Sequence, residues 1–298
     1  MKRNILNSPR LLELKRRRRK VILKRSFFVG FFLCIILVGA SLFSHLDSFN
    51  ISKTEIVGNK IIDTEIIQGI IDQELVGNYF WIFPKTNIFF YPKNKIKEEL
   101  SIKIKRLENI ILSIKEREML VVSVEERDPK YTWCGATIPS GEEGNKPCYF
   151  LDQNGYIFDQ APYFSGDIYF KFYGLVNQTD DIPSGNFFFE PNFKNFILFK
   201  ETLEDMELKP TALYLGKGGE TKVFLSNESS KSTGPEIIFK TDSDFQQLAE
   251  NLQTALSVEP LLSDFKKKYS TLLYIDLRFG NKVYYKFSTQ GGSVSGGN

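Results

Sequence analysis

One histidine, three cysteines and scattered carboxylates are the raw material for chemistry in this 298-residue chain. The single histidine, His45, leaves no Ser-His-Asp or Cys-His nucleophile system and no multi-histidine metal site. Ser263-Asp264-Phe265-Lys266 has the S-x-x-K spacing of penicillin-binding enzymes, but no S-D-N or K-T-G element follows it. Gly216-Lys217-Gly218-Gly219 lacks the spacing that cradles a phosphate and reads as a turn. Asp152 with Asp159, and Asp180 with Asp181, lie in turn-rich sequence, where Asp caps and solvates rather than working in pairs on a sugar. None of these patterns asks for a cofactor, a metal or a small-molecule substrate. Cys134 and Cys148 flank a Gly- and Pro-rich loop. In an oxidising compartment they could close a disulfide worth about 3 kcal/mol. Two free, packed thiols are the other reading.

The third cysteine, Cys34, lies in the stretch that orders the chain. Residues 26–44, SFFVGFFLCIILVGASLFS, are nineteen residues without a charge. At about 1.5 Å per residue they span about 28 Å, the hydrocarbon thickness of a bilayer. Residues 1–25 hold eleven Lys and Arg against one acid, Glu13, and such a flank stays cytoplasmic. Its position favours anionic lipid head groups over nucleic acid as its partner. From residue 26 onward the net charge is −7, which also argues against a nucleic-acid partner. The expected organisation is a single-pass anchor with an extracytoplasmic part. The alternative is a signal peptide cleaved after Ala40, since Val38-Gly39-Ala40 has the small-residue form.

Beyond the anchor, residues 49–57 read as a strand ended by Gly58-Asn59. Asp63 is placed to cap a helix with Ile66, Ile67, Ile70, Ile71 and Leu75 on its apolar side, stopped at Gly77-Asn78. The aromatic stretch 79–91, YFWIFPKTNIFFY, is expected to pack as a loop over a core, with an interfacial membrane belt as the alternative. A helix from Pro92 and a hairpin over 110–124 complete a β-α-α-β-β order. Farther on, short strand-like runs alternate with helical spacing at 193–206 and 244–256. The last two runs, 272–279 and 282–287, are joined by Gly280-Asn281, which suits a tight hairpin. The final strand is expected at a sheet edge, able to pair with a partner segment through its main chain.

That order resembles a POTRA domain, and four patches resemble the FtsQ/DivIB cell-division family. TEIVGNKIIDTEII, with Gly58 and Asn59, is similar to its "V-x-V-x-G-N" strand and first helix. VVSVEERDPKYTW, with Glu126, Arg127, Pro129 and Trp133, is similar to "I-x-V-x-E-R-x-P-x-A-x-W". CYFLDQNGYIFD, with Asp152 and Gly155, resembles the "Y-x-x-D-x-x-G-x-x-F" hairpin, and LLYIDLRFGNKVYYK, with Asp276 and Leu277, the closing patch. The charged run 105–109 replaces the family's usual proline-tryptophan-valine turn, and 174–235 carries no family motif.

The resemblance implies an α+β protein. Its parts are a basic cytoplasmic tail (1–25), a transmembrane helix (26–45), a POTRA domain (46–127), a mixed β domain with flanking helices (128–288) and a flexible Gly/Ser tail (289–298). It implies a non-enzymatic divisome scaffold in the bacterial cytoplasmic membrane at the septum. FtsB/DivIC-like and FtsL-like membrane proteins would be its partners, coupling division to peptidoglycan synthesis. Arg278, Phe279, Val283, Tyr284, Tyr285 and Lys286 would be the docking residues, although Phe279 and Tyr285 also suit a core. A membrane-anchored envelope enzyme or wall-binding module with its site in the middle region is the competing class.

Overall fold

A computed structural model describes residues 9–139, 147–164, 168–176, 183–190, 192–226 and 234–288. The beginning of the basic tail, the Gly/Ser tail 289–298, and Asp180 with Asp181 lie outside these residues.

Helix α1 (Pro9–Ser44) runs for 36 residues, continuing from the basic segment into the apolar one without a break. Its Glu13–Ser44 portion is long and apolar enough to cross a membrane, and none of the described residues covers its apolar window. The helix ends against the segment that follows. The Ser44 carbonyl, one of those a helix end leaves without a partner, accepts from Asn50 Nδ2 at 2.9 Å and Asn87 Nδ2 at 3.1 Å.

The chain divides into two compact units between Glu126 and Arg127. In the first, α1 is followed by β1 (Lys53–Val57), α2 (Thr64–Leu75), β2 (Asn78–Tyr79), β3 (Phe83–Pro84), α3 (Lys93–Lys103), β4 (Leu107–Lys115) and β5 (Met119–Glu126). The sheet order is β1-β5-β4, with β1 parallel and β4 antiparallel to β5. Ile67, Ile70, Ile71 and Leu75 of α2 meet Ile96 and Leu100 of α3 over Leu112, Leu120, Val122 and Val124, so both helices bury their apolar stripes on one face of the sheet.

Three local expectations need correcting. Strand β1 starts at Lys53, because Asp47–Phe49 form a 3₁₀ turn and Asn50 bridges to Asn87. Asp63 does hold the N-cap position of α2, but its side chain makes no capping bond. Asn59 Nδ2 instead ties the entry, donating to the Ile62 carbonyl at 2.8 Å and Thr64 Oγ1 at 3.0 Å. The aromatic stretch packs over the core only in part: Tyr91 lies against it, whereas residues 78–84 form the β2–β3 hairpin, whose turn leaves Phe80 and Trp81 almost fully exposed.

The second unit contains β6 (Tyr131–Trp133), β7 (Tyr149–Leu151), β8 (Ile157–Gln160), β9 (Lys171–Tyr173), α4 (Phe193–Asp205), β10 (Pro210–Leu215), β11 (Glu220–Leu225), β12 (Glu236–Lys240), α5 (Phe245–Ser257), α6 (Leu261–Lys268), β13 (Leu272–Phe279) and β14 (Lys282–Phe287). One nine-stranded sheet runs β14-β13-β12-β11-β10-β9-β6-β7-β8. Its register sets a single row across eight strands: Tyr285, Ile275, Ile237, Val223, Leu213, Phe172, Trp133 and Tyr149. Every member of that row lies in or against the main core, which α4 closes with Phe193, Phe196, Phe199 and Leu203, and α5 with Leu248 and Leu252. Because side chains alternate along a strand, the neighbouring row that includes Lys286, Tyr274, Glu236 and Phe224 faces the other way.

Candidate partner-binding edge

Strand β14 is the terminal strand of the nine, pairing with β13 on one side. Among the described residues no strand pairs with its other side, where every second residue of an edge strand turns its N–H and C=O away from the sheet. The hairpin that positions it is well held. Gly280 takes φ of 65° at the turn, a conformation that glycine adopts without a Cβ clash. From α5, Asn251 Nδ2 donates to the Gly280 carbonyl at 3.1 Å, and Gln247 Nε2 donates to Asn281 Oδ1 at 3.2 Å.

The six expected docking residues separate by face. Val283 and Tyr285 pack against the core, and Tyr285 also meets Phe287 edge-on at 5.8 Å. Tyr284 and Lys286 face outward on the same strand. Tyr284 is 49% exposed and Phe279 55%, and their rings meet edge-on at 5.2 Å. The outer side of the edge therefore carries an exposed aromatic pair, and Phe279 belongs to that pair rather than to the core.

Arg278 is committed within the chain. Its Nε donates to Asp276 Oδ1 at 2.9 Å and its second terminal nitrogen donates to Asp276 Oδ2 at 2.6 Å. The remaining terminal nitrogen pairs with Glu220 at the start of β11, two strands away. Burial pushes the Asp276 carboxyl pKa up, but the hydrogen bonds and charge of Arg278 outweigh it and hold it below the ordinary value. Arg278 thus braces β13 against β11, and its guanidinium also lies 5.7 Å from the Phe279 ring centre. Leu277 points the other way, fully into the core.

The residues that carry the other motif patches are fold determinants. Gly58 has φ of 94°, and a Cβ built there would lie 2.1 Å from the Val124 carbonyl oxygen, so only glycine fits. Glu126 Oε1 accepts the N–H groups of Lys60, Ile61 and Ile62 at 2.7, 2.9 and 2.9 Å, gathering the loop that leads into α2. In the second unit, Asp152 Oδ1 accepts from the N–H groups of Asn154 at 2.8 Å and Tyr156 at 3.0 Å, while Oδ2 pairs with Arg127. The Arg127 guanidinium lies 4.2 Å from the Tyr156 ring centre. Gly155, at φ of 82°, faces the Phe193 ring, 2.7 Å from where a Cβ would sit. Pro129 is half-buried just before β6, and Trp133 Nε1 donates to the Gly174 carbonyl at 2.9 Å. Cys134 and Cys148 are joined as a disulfide that ties the end of β6 to the start of β7.

Three of the patterns considered first for catalysis have structural partners or roles within the chain. His45 Nδ1 bonds the Ser41 carbonyl at 2.8 Å, Ser263 bonds Glu259, and Gly216 to Gly219 make the β10–β11 turn. A groove of about 520 Å³ between α4 and α5 is lined by Leu198, Phe199, Met206 and Phe245. Its Asp244 carboxylate is occupied in capping α5, accepting the N–H groups of Gln246 at 2.9 Å and Gln247 at 3.3 Å. No cluster of three or more His, Cys, Asp or Glu able to hold a metal occurs among the described residues. No family profile matches the chain, and no curated protein matches it either.

Proposed function

We propose that this protein is a bitopic division scaffold of the FtsQ/DivIB type. In this reading the first unit is a POTRA domain held outside the cytoplasm by α1, and the second presents β14 to small membrane partners of the FtsB/DivIC and FtsL kinds. A partner segment adds to β14 as a tenth strand: main-chain hydrogen bonds supply affinity, and Phe279 with Tyr284 read the partner's side chains. The protein assembles components at the septum and links them to wall synthesis.

The observation that carries this reading is the terminal position of β14, with an exposed aromatic pair beside it and a turn fixed by α5. Three further features support it. The β-α-α-β-β order follows directly on a membrane-length helix, if the two-residue strands of the aromatic hairpin are set aside. The motif glycines Gly58 and Gly155 sit where no other residue fits, and two motif acids, Glu126 and Asp152, join segments distant in sequence.

The test compares binding of residues 46–298 to the extracytoplasmic segments of the same organism's FtsB-like and FtsL-like proteins, for wild type and Tyr284→Glu. A charge on the outer side of the edge should weaken binding by about tenfold or more at unchanged thermal stability. Gln160→Glu, on the opposite edge strand β8, should change nothing. Equal affinity of wild type and Tyr284→Glu would refute the proposal.

A further inference from the structure

The most exposed aromatic side chains outside α1 are Phe80 and Trp81, at 90% and 94%. They occupy the two central positions of the β2–β3 turn, closed by the Ile82 N–H donating to the Tyr79 carbonyl at 3.0 Å. Both have positive φ, 49° and 63°. Asn and Gly normally fill such positions, and bulky side chains are outliers there. In water, a loop gains nothing from holding two large apolar side chains outward in this conformation.

The surroundings of the turn point to a different medium. Ser41 Oγ donates to the Ile82 carbonyl at 3.0 Å. Ser41 lies three residues before the end of α1 at Ser44, about 4.5 Å along the axis and inside the apolar run. The turn therefore lies alongside the last turn of the membrane-length helix instead of projecting away from it. Other aromatics continue the same band. The Phe43 ring at the helix end lies 4.7 Å from that of Phe49, which lies 6.0 Å from that of Phe89. Phe89 and Phe90 are themselves 67% and 54% exposed. Aromatic residues concentrate where a membrane meets water, because one end of the ring system can be apolar and the other wet.

We propose that the Phe80-Trp81 turn is a lipid-contacting tongue, inserted at the boundary between head groups and acyl chains of the leaflet in which α1 ends. The occupant of this apolar surface is the bilayer itself, and the argument for it is continuity with the helix. Insertion gives the first unit a second membrane attachment beside α1. With Asn50 and Asn87 both bonded to the Ser44 carbonyl, the two attachments restrict how this unit tilts about the helix end. The proposal rests on α1 being a membrane anchor and is independent of partner pairing at β14.

The chain has two tryptophans, Trp81 and Trp133, so Trp133→Phe leaves Trp81 as the only reporter. The full chain would be reconstituted in vesicles of phosphatidylethanolamine and phosphatidylglycerol, with brominated lipids carrying bromine either high or low on the acyl chain. Emission of Trp81 should fall by about half with the shallow bromines and by less with the deep ones. Aqueous iodide should quench it about threefold less than a free tryptophan amide. Should Trp133→Phe fold poorly, wild type minus Trp81→Ala gives the same signal, since Trp81 is 94% exposed and its loss leaves the fold intact. Full iodide access without bromine quenching overturns the proposal. So does iodide protection without bromine quenching, which would mean that a protein or a second copy covers the turn. Release of the chain by alkaline carbonate would overturn the anchor itself, and a retained chain with an unquenched Trp81 would overturn the tongue alone.

Discussion

Replacing Glu126 with Gln should cost about 1 kcal/mol at neutral pH, and the loss should fade in acid. The Glu126 carboxylate gathers three backbone donors from Lys60, Ile61 and Ile62. Hydrogen bonds to a charged acceptor contribute about 1.5–3 kcal/mol each when buried. Here the side chain is half-exposed and one oxygen takes all three donors, so solvent screening reduces the total to about 2 kcal/mol. Gln keeps the acceptor oxygen and loses the charge, which removes about half of that. Burial alone would push the carboxyl pKa up, but the backbone hydrogen bonds and the Arg106 charge outweigh it, so the folded value lies below the ordinary 4.5. A depressed folded pKa means stabilisation that is complete above the unfolded value and is lost as pH falls through the folded one. Urea unfolding of residues 46–298 should therefore give a wild-type minus Glu126→Gln difference that is flat down to about pH 5 and shrinks below it. A difference near zero at pH 7, or one that stays constant into acid, refutes the role of Glu126 as a charged acceptor.

Gly58→Ala should destabilise the first unit by about 3 kcal/mol or more, since an added Cβ meets backbone at a positive φ; urea melts read this directly. Replacing both Cys134 and Cys148 with Ala should cost about 3 kcal/mol, the loop entropy of a crosslink spanning 14 residues, and reductant should lower the wild-type urea midpoint to match. Tyr285→Glu should lose about 2–3 kcal/mol because that ring packs against Phe287 and the core, whereas Tyr284→Glu should stay within about 0.5 kcal/mol of wild type. Thermal melts of the two variants side by side check the assignment of faces.

Much of the first unit could be read from the sequence because its signals are periodic. The i, i+3, i+4 spacing of Ile67, Ile70 and Ile71 and the alternation through Leu120, Val122 and Val124 are what α2 and β5 need to bury one side each. The hairpin at Gly280-Asn281 is equally plain, and alternation sets Tyr284 and Lys286 opposite Val283 and Tyr285, but only packing shows which of the two faces is outward. In the second unit, β10 and α6 are not foreseen. Strand β10, PTALYL, mixes Pro, Thr and Ala with few β-branched residues, and it becomes a strand because β9 and β11 flank it on both sides. Helix α6 has only 8 residues, too few for a period to stand out. The Phe80-Trp81 turn was hidden for a different reason: aromatic density suggests a core, and only the backbone reveals that these side chains point outward. The bracing of Arg278 by Asp276 and Glu220 needs strand order, which spacing along the chain does not contain.

Hydrogen–deuterium exchange across β14, with and without the extracytoplasmic segment of an FtsB/DivIC-like protein, tests strand addition most directly. The expected result is a slowing of about tenfold or more at amides within Lys282–Phe287, with no change at Ile157–Gln160 on the opposite edge. Binding that leaves exchange at Lys282–Phe287 unaltered would contradict it, placing the partner elsewhere on the protein.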